Sequence, residues 1–127
     1  MSKFTLEEVR HLYDRRAPFY DSIVSTLSLG KDGRYRDHAV RELQADQSHR
    51  ILDVGCGTGL NFPRLPSHIV GIDPSAGLLK IARRRARRLS MGTGQSLPFP
   101  NATFDRVLST YVLTTVPDWP RALSEMA

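Results

Sequence analysis

The sequence predicts an α/β fold in which helices cover both faces of a parallel sheet. Two observations predict it. From Arg50 onward, short apolar runs alternate with segments of helical periodicity. The first of these runs leads into a turn with glycine at every second position, at Gly55, Gly57 and Gly59. The 127 residues fit one domain, with a helical entry segment over 1–49 and a cofactor-binding core over 50–127.

Three helices are predicted in the entry segment. The first begins near Leu6, because Thr5 and Glu8 form a capping box, and it ends before Pro18. The second is expected over about 19–27. The third is expected over about 34–45, with an apolar side that comprises Tyr35, Ala39, Val40 and Leu43.

The core is predicted to alternate strands with helices. Its strands are expected at about 51–54, 69–72, 89–91 and 104–110. Its helices are expected at about 60–65, at about 76–88 and from Trp119 onward, where Asp118 is a suitable N-cap. Strands connected through helices run parallel, and ligands bind at the carboxyl ends of such strands.

The composition is that of a soluble globular protein, with 40% apolar and 24% charged residues. No apolar run is long enough for a transmembrane segment, and the N-terminus lacks the apolar region of a signal peptide. A cytoplasmic location is therefore expected, and the single cysteine, Cys56, agrees with it. The four histidines show no metal-ligand spacing, so no metal site is expected.

The formal charge of +5 comes from one short stretch. Residues 80–88 carry six cations and no anion, and removing these six from +5 leaves the rest of the chain at −1. The pattern is typical of a helix with a solvated basic side, and contact with an anionic partner is the alternative. Nucleic acid is disfavoured as that partner, because no aromatic residues interleave with the arginines.

The glycine-rich turn, called here the glycine loop (residues 55–59), distinguishes between classes of nucleotide site. A dinucleotide fingerprint needs a third glycine at position 60, which is Leu60. A phosphate-binding loop needs Gly-Lys-Ser/Thr, whereas Gly59 is followed by Leu60 and Asn61. Both classes become less probable.

Two aspartates narrow the cofactor further. Asp73, expected at the end of the second strand, can accept hydrogen bonds from the hydroxyls of a ribose, although capping of the next helix is an alternative role. Asp53, in the first strand, would repel a pyrophosphate and suits a cation. S-adenosylmethionine fits, because it has a ribose, an ammonium group and a sulfonium but no phosphate.

With these features the sequence resembles class I S-adenosylmethionine-dependent methyltransferases of the type 11 group. The matching segments are 51–59, 70–75, 95–105, 107–113 and 116–118, in the order of the family. A weaker similarity, over 13–21, is to the entry helix of quinone-biosynthesis and phospholipid N-methyltransferases. The resemblance implies a Rossmann-like sheet that lacks the C-terminal strands of the family.

The resemblance also implies a set of cofactor-binding residues. The methionine part would be surrounded by Asp53, Gly55, Gly57 and Gly59, and Cys56, Thr58 and Pro74 are further implied cofactor-binding residues. The ribose would lie at Asp73, the adenine edge at Gln95 and Ser96, and the reactive end of the cofactor under Tyr20. Cys56 is expected to fill space in the loop rather than act as a nucleophile. No catalytic residue is assigned, because relatives often have a histidine pair where this chain has Thr114 and Thr115.

The implied function is methyl transfer from S-adenosylmethionine to a small-molecule or lipid-like acceptor, with S-adenosylhomocysteine as the product. The alternative is a truncated, non-catalytic module that binds S-adenosylmethionine or acts in assembly. The fourth strand would be an exposed edge, and open edges invite pairing. A homodimer that covers this edge is therefore expected.

Overall fold

A computed structural model describes residues 5–19, 31–66, 68–86, 88–110 and 119–127. The helices are α1 (Leu6–Arg16), α2 (Asp32–Leu43), α3 (Ala76–Ala82) and α4 (Trp119–Met126), with single 3₁₀ turns at Ala17–Phe19 and Phe62–Arg64. The strands are β1 (Ile51–Val54), β2 (Val70–Asp73), β3 (Leu89–Met91) and β4 (Arg106–Leu108). The helix expected over 19–27, the Asp118 cap and Tyr20 lie wholly or largely outside the described residues.

The four strands form one parallel sheet in the order β3-β2-β1-β4. Successive side chains of β1 point to opposite faces, which separates two parts of the core. Ile51 packs with α3 residues and the apolar side of α2, whereas Leu52 and Val54 pack with the 97–104 segment and Met126 of α4. Helices therefore cover both faces of the sheet, and the predicted fold class is confirmed.

The start of α1 follows the predicted capping box. The Thr5 side chain accepts from the Glu8 amide at 3.3 Å, and the Thr5 amide donates to the Glu8 carboxylate at 2.7 Å. In α2 the prediction of the apolar side was wrong at one position. Tyr35 is 54% exposed, and the buried residue in its place is Arg36, which lies three, four and seven residues before Ala39, Val40 and Leu43.

Two core helices are shorter than predicted. The helix expected at 60–65 is only the 3₁₀ turn Phe62–Arg64, with Pro63 in its first positions. The turn ends at Leu65, which precedes Pro66 and is extended, with φ −115° and ψ 162°, because proline disfavours the helical region for the residue before it. The basic helix expected over 76–88 ends at Ala82 and continues as turns, in which the Arg84 and Arg85 amides donate three residues back, to the carbonyls of Ile81 and Ala82.

The strands lie within one or two residues of their predicted positions. β1 and β3 have the predicted bounds, β2 is shifted by one residue, and β4 occupies the middle of the predicted segment. Among the described residues β4 pairs only with β1, so it is the edge strand of this sheet. No helix in the described ranges is long and apolar enough to span a bilayer.

Candidate cofactor site

The glycine loop turns sharply at the carboxyl end of β1. Gly55, Gly57 and Gly59 all have positive φ, at 68°, 57° and 81°. The amides of Gly55 and Cys56 both donate to the Ile72 carbonyl of β2, at 2.8 and 3.0 Å. The loop is thus folded back onto the neighbouring strand, at the sheet edge where α/β proteins bind ligands.

Asp53 lies at the base of this loop with no exposed surface. Its Oδ2 accepts a hydrogen bond from Asn61 Nδ2 at 3.3 Å, whereas Oδ1 has no partner among the described residues. Burial raises the pKa of this carboxyl to about 7, although the Asn61 amide and the nearby Arg36 charge act against the rise. A buried carboxylate oxygen without a donor is costly unless a ligand supplies one.

Asp73, at the end of β2, joins the glycine loop to the start of α3. Its Oδ2 accepts from the Gly57 amide at 3.0 Å, and its Oδ1 accepts from the Ser75 amide at 2.9 Å. Burial raises the pKa of Asp73 to about 6, and the two amides oppose that rise. The alternative role of helix cap belongs to Ser75, whose Oγ accepts from the Leu78 amide at 3.1 Å. Pro74 lies between these two residues, half-buried.

Helix α1 reaches the same place through Asp14. Its Oδ1 accepts from Ser75 Oγ at 2.5 Å and from the Gly77 amide at 3.0 Å. Sequence reasoning missed this contact, which spans more than 60 residues of chain. The entry segment is thereby attached to the turn that carries Asp73.

Cys56 and Thr58 are buried within the loop. Burial raises the pKa of the Cys56 thiol, which disfavours the thiolate that a nucleophilic cysteine requires. The Thr58 carbonyl accepts a hydrogen bond from Arg85 Nη1 at 2.8 Å. One cation of the basic stretch therefore contacts the loop.

Gln95 and Ser96 lie in a turn that follows β3. Thr93 and Ser96 form an isolated bridge, and the Gln95 amide donates to Thr93 Oγ1 at 3.2 Å. The Gly92 amide donates to the Asp73 carbonyl at 3.2 Å, which attaches this turn to the end of β2. Gln95 is half-buried and Ser96 is exposed.

A buried polar network next to Asp53 was not predicted. Arg36, 5% exposed, donates from Nη1 to Asn61 Oδ1 at 3.0 Å and to Thr110 Oγ1 at 3.3 Å. Asn61, 1% exposed, donates from Nδ2 to Asp53 and, at 3.1 Å, to Thr110. Within the described ranges no group of three or more His, Cys, Asp or Glu residues could hold a metal ion.

Comparison with known proteins assigns this chain to a family. A family model described as "Methyltransferase domain" matches residues 52–127, which is more than half of the chain. The chain belongs to this methyltransferase domain family. Among its relatives, the demethylmenaquinone methyltransferase of Symbiobacterium thermophilum is 33% identical over 132 residues, covering 93% of this chain and 53% of that protein.

Solved methyltransferases share the fold. An S-adenosylmethionine-dependent methyltransferase of Thermotoga maritima, described as a possible histamine N-methyltransferase, superposes with a TM-score of 0.77 at 28% identity, over 93% of this chain and 55% of its own. The amino pentose methyltransferase CalS10 of Micromonospora echinaspora was solved with S-adenosylmethionine bound. It superposes with a TM-score of 0.58 at 26% identity, over 76% of this chain and 44% of its own.

The methyltransferase class predicted from the sequence is confirmed, and with it S-adenosylmethionine as the cofactor of the family. The methyltransferase domain described here spans about half the length of the curated relatives that it matches. Its residues fit the cofactor, because the buried Asp53 Oδ1 is an acceptor with no donor in the described protein.

Proposed function

We propose that this domain binds S-adenosylmethionine around Asp53 and Asp73 and supports transfer of the methyl group to a small, quinone-like or lipid-like acceptor. The observation that carries the proposal is the buried Oδ1 of Asp53 at the carboxyl end of β1, which has no hydrogen-bond partner among the residues that the structure describes. An ammonium group offers three N–H donors and a positive charge, so it would satisfy this oxygen and favour the ionised carboxylate.

The remaining residues are proposed to hold the rest of the cofactor. Asp73 and Pro74 would bind the ribose, because each Asp73 oxygen accepts one amide hydrogen bond and has capacity for another. The adenine would lie at Gln95 and Ser96, the methionine part along the backbone of the glycine loop with Cys56 and Thr58, and the reactive end near Tyr20. The bound cofactor would supply a methyl group already activated by its sulfonium. The domain would contribute mainly alignment, and none of its residues is assigned as a base.

The acceptor is proposed from the relatives. The Symbiobacterium thermophilum relative is named as a demethylmenaquinone methyltransferase, and a Synechococcus elongatus relative as a 2-phytyl-1,4-naphtoquinone methyltransferase. A quinone-like acceptor is therefore the first choice. The alternative of a non-catalytic binding or assembly module is not favoured, because the family and these relatives are named for methyl transfer.

Calorimetry with S-adenosylmethionine and S-adenosylhomocysteine tests the site. The wild-type domain should bind both ligands, and Asp53→Asn should weaken binding about 10-fold to 100-fold, which is the range for a charge-assisted hydrogen bond. Glu42→Gln, which neutralises an exposed carboxylate on α2, is the control and should bind as wild type. Absence of wild-type binding at millimolar ligand would refute the proposal.

Transfer of label from methyl-labelled S-adenosylmethionine tests the reaction. A naphthoquinol and a small amine serve as candidate acceptors, with the Asp53→Asn variant as the background. Label in the quinol supports the proposed acceptor class, and label only in the amine contradicts it. Cofactor binding with no transfer to either compound would favour the non-catalytic alternative.

Two further proposals concern assembly and location. A second copy of the chain is proposed to cover β4, because among the described residues this strand is paired on one side only and presents unsatisfied N–H and C=O groups on the other. Light scattering that finds a monomer well above micromolar concentration would contradict this dimer. A cytoplasmic location is proposed from the lone, buried Cys56, and fractionation of expressing cells tests it.

A further inference from the structure

Arg36 is a buried cation on a helix that otherwise contributes apolar residues to the core. A buried guanidinium is tolerated only where polar partners compensate for its lost hydration. Its Nη1 donates to Asn61 Oδ1 and to Thr110 Oγ1, residues 25 and 74 positions away in the sequence. The three side chains connect α2, the segment after the glycine loop and the residues that follow β4.

The chemistry of arginine fixes which way the Asn61 amide faces. A guanidinium has donors only, so Asn61 presents its oxygen to Arg36. The NH₂ group of the same amide is consequently turned the other way, where it donates to Asp53 Oδ2 and to Thr110 Oγ1. Without Arg36 the amide could rotate and place its oxygen against the Asp53 carboxylate, which would be repulsive.

Arg36 also acts on Asp53 through its charge. Among the described residues, the charged groups that shift the pKa of Asp53 are Arg36 on α2, which lowers it, and Asp73 on β2, which raises it. Arg36 thus lowers the pKa of Asp53, whereas burial and the charge of Asp73 both raise it. Asp53 Oδ1 has no partner in the described part of the chain, so it is the atom left available to a ligand.

We propose that Arg36 is a positioning residue for the cofactor, which acts through Asn61 to keep the Asp53 carboxylate ionised and oriented for the ammonium group of S-adenosylmethionine. This inference rests on the proposed function, because it assumes that Asp53 receives that ammonium group. Arg36 itself need not touch the ligand. Its removal should therefore mimic a change of pH rather than the loss of a contact.

The test is the dissociation constant of S-adenosylmethionine for the whole chain, measured by calorimetry from about pH 6 to about pH 9. The Arg36→Met variant should bind about tenfold more weakly than wild type at about pH 6, and the ratio should shrink below about twofold at about pH 9. Protonation of the ligand's own amine affects both dissociation constants equally and cancels in their ratio. The ratio therefore reports the ionisation of Asp53. Arg34→Met, at an exposed arginine on the same helix, should give a ratio near one throughout.

Two further variants keep the test independent of folding defects. Arg36→Lys retains the cation, so the ratio of its dissociation constant to that of wild type should change less with pH than the ratio for Arg36→Met. Asn61→Leu keeps Arg36 but removes the amide between it and Asp53, and it should reproduce the weaker binding at low pH. In an Asp53→Asn background, Arg36→Met should weaken cofactor binding little further, because the carboxylate charge on which Arg36 acts is absent.

The outcomes separate the two proposals. If wild type fails to bind, the proposed function falls. If wild type binds but the ratio for Arg36→Met is the same at every pH, or Arg36→Met and Asp53→Asn are additive, the positioning role is wrong and the proposed function stands. A ratio that declines with rising pH, together with non-additivity, supports the positioning role.

Discussion

Replacement of Gly59 by alanine should destabilise the domain through two separate effects. Gly59 has a φ of +81°, a conformation that residues with a Cβ rarely adopt. An ideal Cβ there would lie 2.4 Å from Cδ2 and 2.6 Å from Cε2 of Phe62. The Phe62 ring has little room to move away, because its far end lies close against the backbone of Gly71. A Cβ built on Gly71 would lie only 2.7 Å from Cζ of that ring.

The size of the effect follows from these two contributions. Left-handed backbone costs a residue other than glycine about 1–2 kcal/mol, and overpacking of a buried site costs about 1–3 kcal/mol. Gly59→Ala should therefore lower the free energy of unfolding by about 2–5 kcal/mol. Since small domains have about 5–15 kcal/mol in total, part of the population would unfold at modest urea concentrations.

Urea unfolding followed by far-UV circular dichroism measures the change. Gly92→Ala is the matched control, because its Cβ would lie at ordinary contact distance, 3.6 Å from Ile72 and Pro98, and its cost should stay below about 1 kcal/mol. In a double-mutant cycle with Phe62→Ala, the two changes should be less than additive, since removal of the ring relieves the clash. Equal stability of the two glycine variants would refute the reasoning.

Three other predictions concern charge and docking. Burial raises the pKa of Asp53 from 3.8 to about 7, so the folded state binds more protons between these values, and the ligand-free domain should lose stability as pH rises through this range. Asp53→Asn should reduce that slope in urea titrations, and an unchanged slope would contradict the assignment. Hydrogen bonds from Arg50 lower the pKa of Asp105 to about 2, so this pair should lose its stabilising effect as pH falls from about 4 toward 2; Arg50→Met should weaken that acid sensitivity, as followed by circular dichroism. Asp14→Ala should cost about 1–2 kcal/mol and speed hydrogen exchange at the Gly77 amide, and unchanged exchange there would argue against docking of α1 through this carboxylate.

Features encoded by neighbouring residues were predictable from the sequence. The capping box of Thr5 and Glu8, the strand over 51–54 and the glycine loop all follow from spacing within a few residues. Two core helices are shorter than predicted because Leu65, before Pro66, is extended, and because the hydrogen bonds after Ala82 shift to residues three back.

The network around Asp53 depends on residues far apart in the chain, and this explains why sequence reasoning missed it. Arg36 contacts residues 25 and 74 positions later, and no local pattern encodes those pairs. One signal was nevertheless present. Arg36 shares the helical side of Ala39, Val40 and Leu43, and a charged residue on an apolar side is an indication of a buried polar partner.

The attachment of the glycine loop to β2 limits how far this loop can be transplanted. Its backbone is held by the Ile72 carbonyl and the Asp73 carboxylate, which lie on a different strand. A graft of residues 51–59 alone into another protein should not retain the shape of the loop. A functional graft would have to include β2 and its terminal aspartate, so the smallest transferable unit is a pair of strands rather than a peptide motif.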